Sequence, residues 1–131
     1  MYLLDTNIVS DALRNPQNAA AIRIRQTPDE EIVVSIIVAC ELRFGVRKRR
    51  SRALEELVEG FLSRTTVLPF DTPAEHAYAD IRVDLERRGT PISANDMFIA
   101  AHALALDATL VTDNEREFAR IDGLKVENWL R

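Results

Sequence analysis

The sequence predicts an α/β fold: a central, mostly parallel β-sheet with helices on both faces. Three observations predict it. The strand candidates are short apolar runs, as expected of strands covered on both faces. Segments whose apolar residues recur at helical spacing separate them almost throughout. No hairpin signal joins one strand candidate to the next.

Tyr2-Leu3-Leu4 is the first strand candidate, ending at Asp5-Thr6-Asn7. Ile8, Val9, Ala12 and Leu13 follow at helical spacing. Asn15-Pro16 closes that helix and is expected to open a second, with Asn15 as N-cap and Pro16 at the first helical position. This second helix should run to about Gln26, where Thr27-Pro28 stops it. Ile32-Val33-Val34 is the next strand, and Ser35 is placed to cap a helix from about Ile36 to Arg47. Ser51 starts another helix, with Ala53, Leu54, Leu57, Val58, Phe61 and Leu62 on one face. Thr66-Val67-Leu68 is the third strand, ended by Pro69. Thr72-Pro73-Ala74-Glu75 reads as a capping box with proline at the first helical position. The stripe Ala74, Ala77, Tyr78, Ile81 and Leu85 follows, and Gly89 suits the C′ position. Ser93-Ala94-Asn95-Asp96 opens the next helix, which continues through Met97, Ile99, Ala100, Ala103 and Leu104. Thr109-Leu110-Val111-Thr112 is the fourth strand. A short helix around Glu115–Phe118, a turn at Asp122-Gly123 and a last short strand at Lys125-Val126 complete the chain. With no Pro/Gly/Ser-rich linker and no repeat, residues 1–131 are expected to form one domain.

Composition narrows the function classes. Hydrophobic residues make up 47% and charged residues 29%, a globular balance that argues against disorder. No apolar run approaches the roughly 20 residues of a membrane helix. Met1-Tyr2-Leu3-Leu4-Asp5 lacks the basic start of a secretory signal, and the single cysteine, Cys40, excludes an internal disulfide; both lead to the expectation of a cytoplasmic protein. Seventeen basic against 21 acidic residues leave a net charge of −4, which excludes nucleic-acid binding through bulk charge but not through a local basic patch.

In an open parallel sheet, ligands bind beyond the carboxyl ends of the strands. Asp5 directly follows the first strand and Asp113 the fourth. Their ordinary alternative is helix capping. Glu41 lies in Ile36-Ile37-Val38-Ala39-Cys40-Glu41-Leu42, where a carboxylate loses water and needs an arginine or a cation to compensate. Asp96 falls three residues after Ser93, so it either completes a capping box or points its carboxylate across the top of the sheet. Carboxylates gathered at one sheet end repel, and a hard divalent cation such as Mg²⁺ or Mn²⁺ relieves the repulsion. Such an ion also lowers the pKa of bound water and stabilises charge on a phosphodiester, so acids without His or Cys suit phosphoryl chemistry. His76 and His102 read as solvated or packed rather than as ligands. Arg43, Arg47, Lys48, Arg49, Arg50 and Arg52 crowd the stretch after Glu41, either as a solvated helix end or as contacts to a phosphate backbone; Arg87 and Arg88 are weaker candidates.

Four motifs together resemble the PIN domain. They are Leu3-Leu4-Asp5-Thr6-Asn7, Glu41-Leu42 after a Ser-led apolar run, Asn95-Asp96 leading into Ile99-Ala100-Ala101, and Leu110-Val111-Thr112-Asp113-Asn114 followed by Arg116-Glu117-Phe118. Their order, their spacing and the chain length are similar to the VapC toxins of VapBC toxin–antitoxin pairs, and the likeness extends to Val126-Glu127-Asn128-Trp129. The resemblance implies a three-layer α/β/α sandwich and a Mg²⁺- or Mn²⁺-dependent endoribonuclease, with tRNA among the substrates of relatives. It also implies a homodimer, neutralised by a VapB-type antitoxin through which alone operator DNA is reached. It carries the acidic site onto Asp5, Glu41 and Asp96, and polar orienting residues onto Thr6 and Asn7. The fourth position falls to Asp113, Asn114 or Glu117; Asp113 is expected, because a carboxylate binds a cation better than an amide does.

On this reading Asp5 and Asp96 hold one metal, Glu41 and Asp113 complete the cage, and Thr6, Asn7 and Asn114 position the substrate. A metal-activated water then attacks the RNA phosphodiester in line, and Arg43 to Arg52 hold the backbone. The rivals are a phosphoacceptor receiver module, a haloacid-dehalogenase-type phosphatase and a catalytically silent partner-binding scaffold. A receiver wants an acidic pair near strand one and a lysine after the last strand, and the phosphatase wants Asp-x-Asp; Asp5-Thr6-Asn7 supplies one acid, and Lys125 lies inside the last strand.

Overall fold

Five strands and seven α-helices make up the computed structural model, which describes residues 1–131. In chain order they are β1 (Tyr2–Leu4), α1 (Thr6–Arg14), α2 (Ala19–Gln26), β2 (Ile32–Ser35), α3 (Ile36–Arg49), α4 (Arg52–Arg64), β3 (Thr66–Leu68), α5 (Ala74–Arg88), α6 (Ala94–Leu106), β4 (Thr109–Val111), α7 (Glu115–Phe118) and β5 (Lys125–Glu127), with a 3₁₀ turn at Asp29–Glu31 before β2. The strands form one sheet in the order β3-β2-β1-β4-β5, and every neighbouring pair is parallel. Helices flank the sheet in an α/β/α arrangement, so its apolar strands are covered.

The chain builds outward from β1 to β3, then returns to the other side of β1 as β4. The carboxyl ends of β1 and β4 therefore meet at the point where strand order reverses, the usual crevice for a ligand. Leu3 faces Val33 of β2, and Leu4 faces Val111 of β4. The Asp5 N–H extends the second ladder by bonding to the Val111 carbonyl at 2.8 Å, which places Asp5 directly over the crevice. Leu3, Leu4, Val34, Leu110 and Val111 are fully buried at this centre.

Local chemistry starts the helices where the sequence expects it. Asp5 caps α1, and Ser35, Ser51 and Ser93 accept from the N–H groups of Ile37, Leu54 and Asp96 at 3.1, 3.2 and 3.2 Å. His102 of α6 is packed rather than solvated, and its Nδ1 lies 2.8 Å from Ser35 Oγ. Ser35 Oγ also accepts from the Ile37 N–H, so one hydroxyl meets both helices. Burial holds the His102 pKa below its ordinary value, which favours the neutral ring. These bonds join α6 to the start of α3.

Two starts differ from expectation. The second helix begins at Ala19 with Asn18 at the cap, not at Asn15-Pro16. The Asn15 N–H is spent on the Asp11 carbonyl, closing α1, and the Asn18 N–H returns to the Asn15 carbonyl at 2.9 Å, so these residues turn the chain first. Pro73 occupies the cap of α5 rather than its first turn, and the Thr72 hydroxyl donates to Glu75 Oε2 at 2.7 Å instead of receiving a backbone N–H.

Leu3→Ala should lower stability by about 2–5 kcal/mol, because the tightly packed sheet centre relaxes little around a cavity. Leu57→Ala, at a position 45% exposed, should change it by less than about 0.5 kcal/mol. Denaturant midpoints of the two variants check the contrast.

Candidate active site

Asp5 is only 6% exposed, at the mouth of the crevice. Oδ1 accepts from the Thr6 N–H and Oδ2 from the Thr112 hydroxyl, each at 2.8 Å. Burial pushes its pKa up to about 6 against the pull of those two bonds, and the charges of Asp96 and Glu41 push the same way. That electrostatic coupling places the three acids in one field.

Glu41, half buried on α3, has no arginine. Oε1 accepts from the Thr6 hydroxyl and Oε2 from the Asn95 amide at 3.2 Å. Thr6 thus binds two acids at once, Asp5 through its N–H and Glu41 through its hydroxyl. Asp96 combines both roles left open by its position. Its N–H is capped by Ser93, while Oδ2 accepts from the Asn114 amide at 3.4 Å. Its pKa is raised, first by burial and then by the charges of Glu117 and Glu41, against hydrogen bonds from Ser93 and Asn114.

At the fourth position, Asp113 is exposed at the rim, where Oδ1 accepts from the Asn7 amide at 3.2 Å. Asn114 lies further in. It donates to Asp96 and, at 3.0 Å, to Glu117 Oε2, and its own N–H is held by Thr112 Oγ1. Glu117, on the first turn after the strand, is the acid that acts on Asp96; Asp113 and Asn7 form a separate pair at the edge. Asn95 and Thr112 were given no role by sequence reasoning. Their only signal is adjacency, Asn95 beside Asp96 and Thr112 beside Asp113, within polar motifs that end at strand tips.

Every hydrogen bond to Asp5, Glu41, Asp96 and Glu117 comes from a neutral group, and none of the four forms an ion pair. Neutral dipoles steady the carboxylates without cancelling their charge. The donor set is oxygen alone, which fits a hard divalent cation. As the side chains stand, no three acids close around a common ion position; repulsion and the intervening Asn and Thr bonds hold the carboxylates apart. Lys125 belongs to a different place, paired with Asp107 at 3.1 Å from the amino end of β5, so no lysine completes a receiver-type site.

The basic run divides. Arg43 makes a two-pronged ion pair with Glu59, both contacts at 2.9 Å, and ties α3 to α4. The Lys48 ammonium lies 5.9 Å from the centre of the exposed Phe44 ring. Arg47, Arg49 and Arg50 are exposed without acidic partners, and Arg49 lines a groove that begins at Thr6 and Glu41. Arg88 pairs with Asp84 and with the Arg120 carbonyl, and Arg87 is exposed.

The sequence matches the PIN domain family over residues 2–124. It is 37% identical to Ribonuclease VapC2 of Rickettsia felis, with 98% of each chain covered. It is also 37% identical to the tRNA(fMet)-specific endonuclease VapC of Salmonella typhimurium, covering 98% of this chain and 97% of that one. The crystal structure of VapBC2 from Rickettsia felis bound to a DNA fragment from their promoter superimposes with a TM-score of 0.87, at 37% identity and 98% coverage of both chains. With the carboxylates at the switch crevice and the likeness running the length of the chain, the protein belongs to the PIN-domain family and, within it, to the VapC ribonucleases.

Proposed function

We propose that this VapC ribonuclease is a divalent-metal-dependent endoribonuclease, the toxin of a toxin–antitoxin pair. The observation that carries the metal dependence is the cluster of carboxylates held only by neutral donors. Asp5 and Asp96 would hold the ion, with Glu41 and a fourth acid completing the set directly or through water. Asp113 was the expected fourth ligand; the bonds of Asn114 and the position of Glu117 favour Glu117. Bound Mg²⁺ or Mn²⁺ would supply an acidified water and offset the charge that builds on the phosphodiester. The chain's own residues do the positioning: Thr6 sets Asp5 and Glu41 relative to each other, Thr112 orients Asp5, and Asn114 spaces Asp96 from Glu117.

The substrate is read as RNA, with tRNA the leading class because the Salmonella relative carries that specificity in its name. The partner is read as a VapB-type antitoxin, as in the VapBC structures, with operator DNA reached through the antitoxin. Residues 1–131 acting as one domain, a homodimer and a cytoplasmic location complete the proposal. No helix is long and apolar enough to cross a membrane.

Asp5→Asn, Glu41→Gln and Asp96→Asn should each reduce RNA cleavage by about two orders of magnitude or more while far-ultraviolet circular dichroism stays unchanged. Chelation should abolish cleavage, and Mg²⁺ or Mn²⁺ should restore it. A folded Asp5→Asn variant at full activity would overturn the assignment. At the fourth position, Glu117→Gln should lower the rate more than Asp113→Asn, read as initial rates on one RNA.

The same acid makes stability depend on pH. The folded pKa of Asp5, about 6, lies above its unfolded value, so its contribution is complete below about pH 4 and is lost as pH rises through about 6. Asp5→Asn escapes that loss. Measured in chelator, the variant should exceed wild type by roughly 2 kcal/mol above about pH 7, and the gap should close below about pH 4.

A further inference from the structure

A groove of about 180 Å³ leaves the acidic crevice between α1 and α3, with α4 forming its far wall. Thr6 and Glu41 line its start, and Ser10 lies midway. Its two cations, Arg14 and Arg49, are the last residues of α1 and α3. Arg14 follows Thr6, and Arg49 follows Glu41, by eight residues, so each arginine stands about 12 Å along its helix from the acidic end. Basic residues in a last turn complement the helix dipole wherever they occur. What separates these two is that both border the groove and neither has an acidic partner.

Gly45 supplies an independent observation. It sits inside α3, where glycine is less favourable than alanine. Gly60, the other glycine within a helix, is met by the Arg64 side chain at 3.3 Å from where a Cβ would stand. A Cβ on Gly45 would meet nothing within 4 Å, so no packing inside this chain accounts for its missing side chain. Gly45 also lines the groove, and its vacancy keeps the passage between Glu41 and Arg49 open.

We infer that this groove is a second phosphate subsite for single-stranded RNA. Arg14 and Arg49 grip a backbone phosphate about two nucleotides from the one at the acids, and Gly45 leaves room for the sugar-phosphate backbone between them. Two guanidiniums without carboxylate partners at the far end favour a polyanion; Arg14 Nε donates to the Ser10 carbonyl at 3.4 Å, which leaves its terminal nitrogens for a phosphate. The neutral hydroxyls and amides near Thr6 and Ser10 suit a sugar. The inference rests on the ribonuclease reading and names how far its substrate must extend.

The test reads binding rather than cleavage, so that the two can fail separately. In the Asp5→Asn background with Mg²⁺, the affinity of labelled oligouridylates of two to eight nucleotides is followed by fluorescence anisotropy. Affinity should rise by about tenfold once the strand is long enough to span from the acids to the arginines. Adding Arg14→Ala or Arg49→Ala should remove that rise and flatten the dependence of log K on log salt by about 0.7, the share of one phosphate on a single strand. Gly45→Leu, a helix-favouring change, should also remove the rise without lowering the melting temperature. Arg64→Ala, which removes one positive charge outside the groove, should leave the rise intact. A parent with no length-dependent rise, or a rise that survives Arg14→Ala/Arg49→Ala and Gly45→Leu, overturns the subsite and gives the groove to a protein segment instead. Uncut RNA with Asp5 intact would instead count against the ribonuclease reading.

Discussion

The structure depends on negative charge gathered at one sheet end and left uncancelled. An acid buried as deeply as Asp5 normally finds a guanidinium or an ammonium. Here it finds a hydroxyl and a backbone N–H, and its neighbours Glu41 and Asp96 find a hydroxyl and two amides. Such donors fix geometry while leaving the field intact. A protein optimised for stability alone would have no reason to keep this arrangement; one that must receive a cation and a phosphodiester would.

The scaffold makes that arrangement possible by separating the tasks. Parallel pairing puts the carboxyl ends of all five strands on one side, and the reversal of strand order opens a gap between β1 and β4 there. Three elements each bring one acid to the gap: the end of β1, the second turn of α3 and the first turn of α6. The buried His102–Ser35 hydrogen bond ties α6 to the start of α3, the two helices that carry Asp96 and Glu41.

The fold was legible in the sequence because it is written locally. Apolar triplets mark the strands, Ser35, Ser51 and Ser93 mark helix starts, and Gly89 marks a stop at φ 68°. Sequence reading failed where one residue served two candidate roles. Asn15-Pro16 looked like a helix start because proline favours that position, but the Asn15 N–H was already closing the preceding helix. Asp5 is readable from a strand end, Glu41 from a charge set among apolar neighbours and Asp96 from its place three residues after Ser93. The support around them is less so. Asn95 and Thr112 act across 54 and 107 residues of chain, which no local pattern encodes. Which of Asp113, Asn114 and Glu117 lies beside Asp96 depends on how the chain turns from β4 into α7, and Arg43 reads as free in the sequence although α4 brings Glu59 against it.

β1 is the central strand, bonded on both sides, with Leu3 and Leu4 sealed from water and the Asp5 amide locked onto Val111. Core strands of that kind open at free energies that approach the global value. The acid at the crevice is therefore mounted on a segment that local opening reaches last. Fraying at the short edge strands β3 and β5 leaves it in register, and its position is as durable as the native state itself.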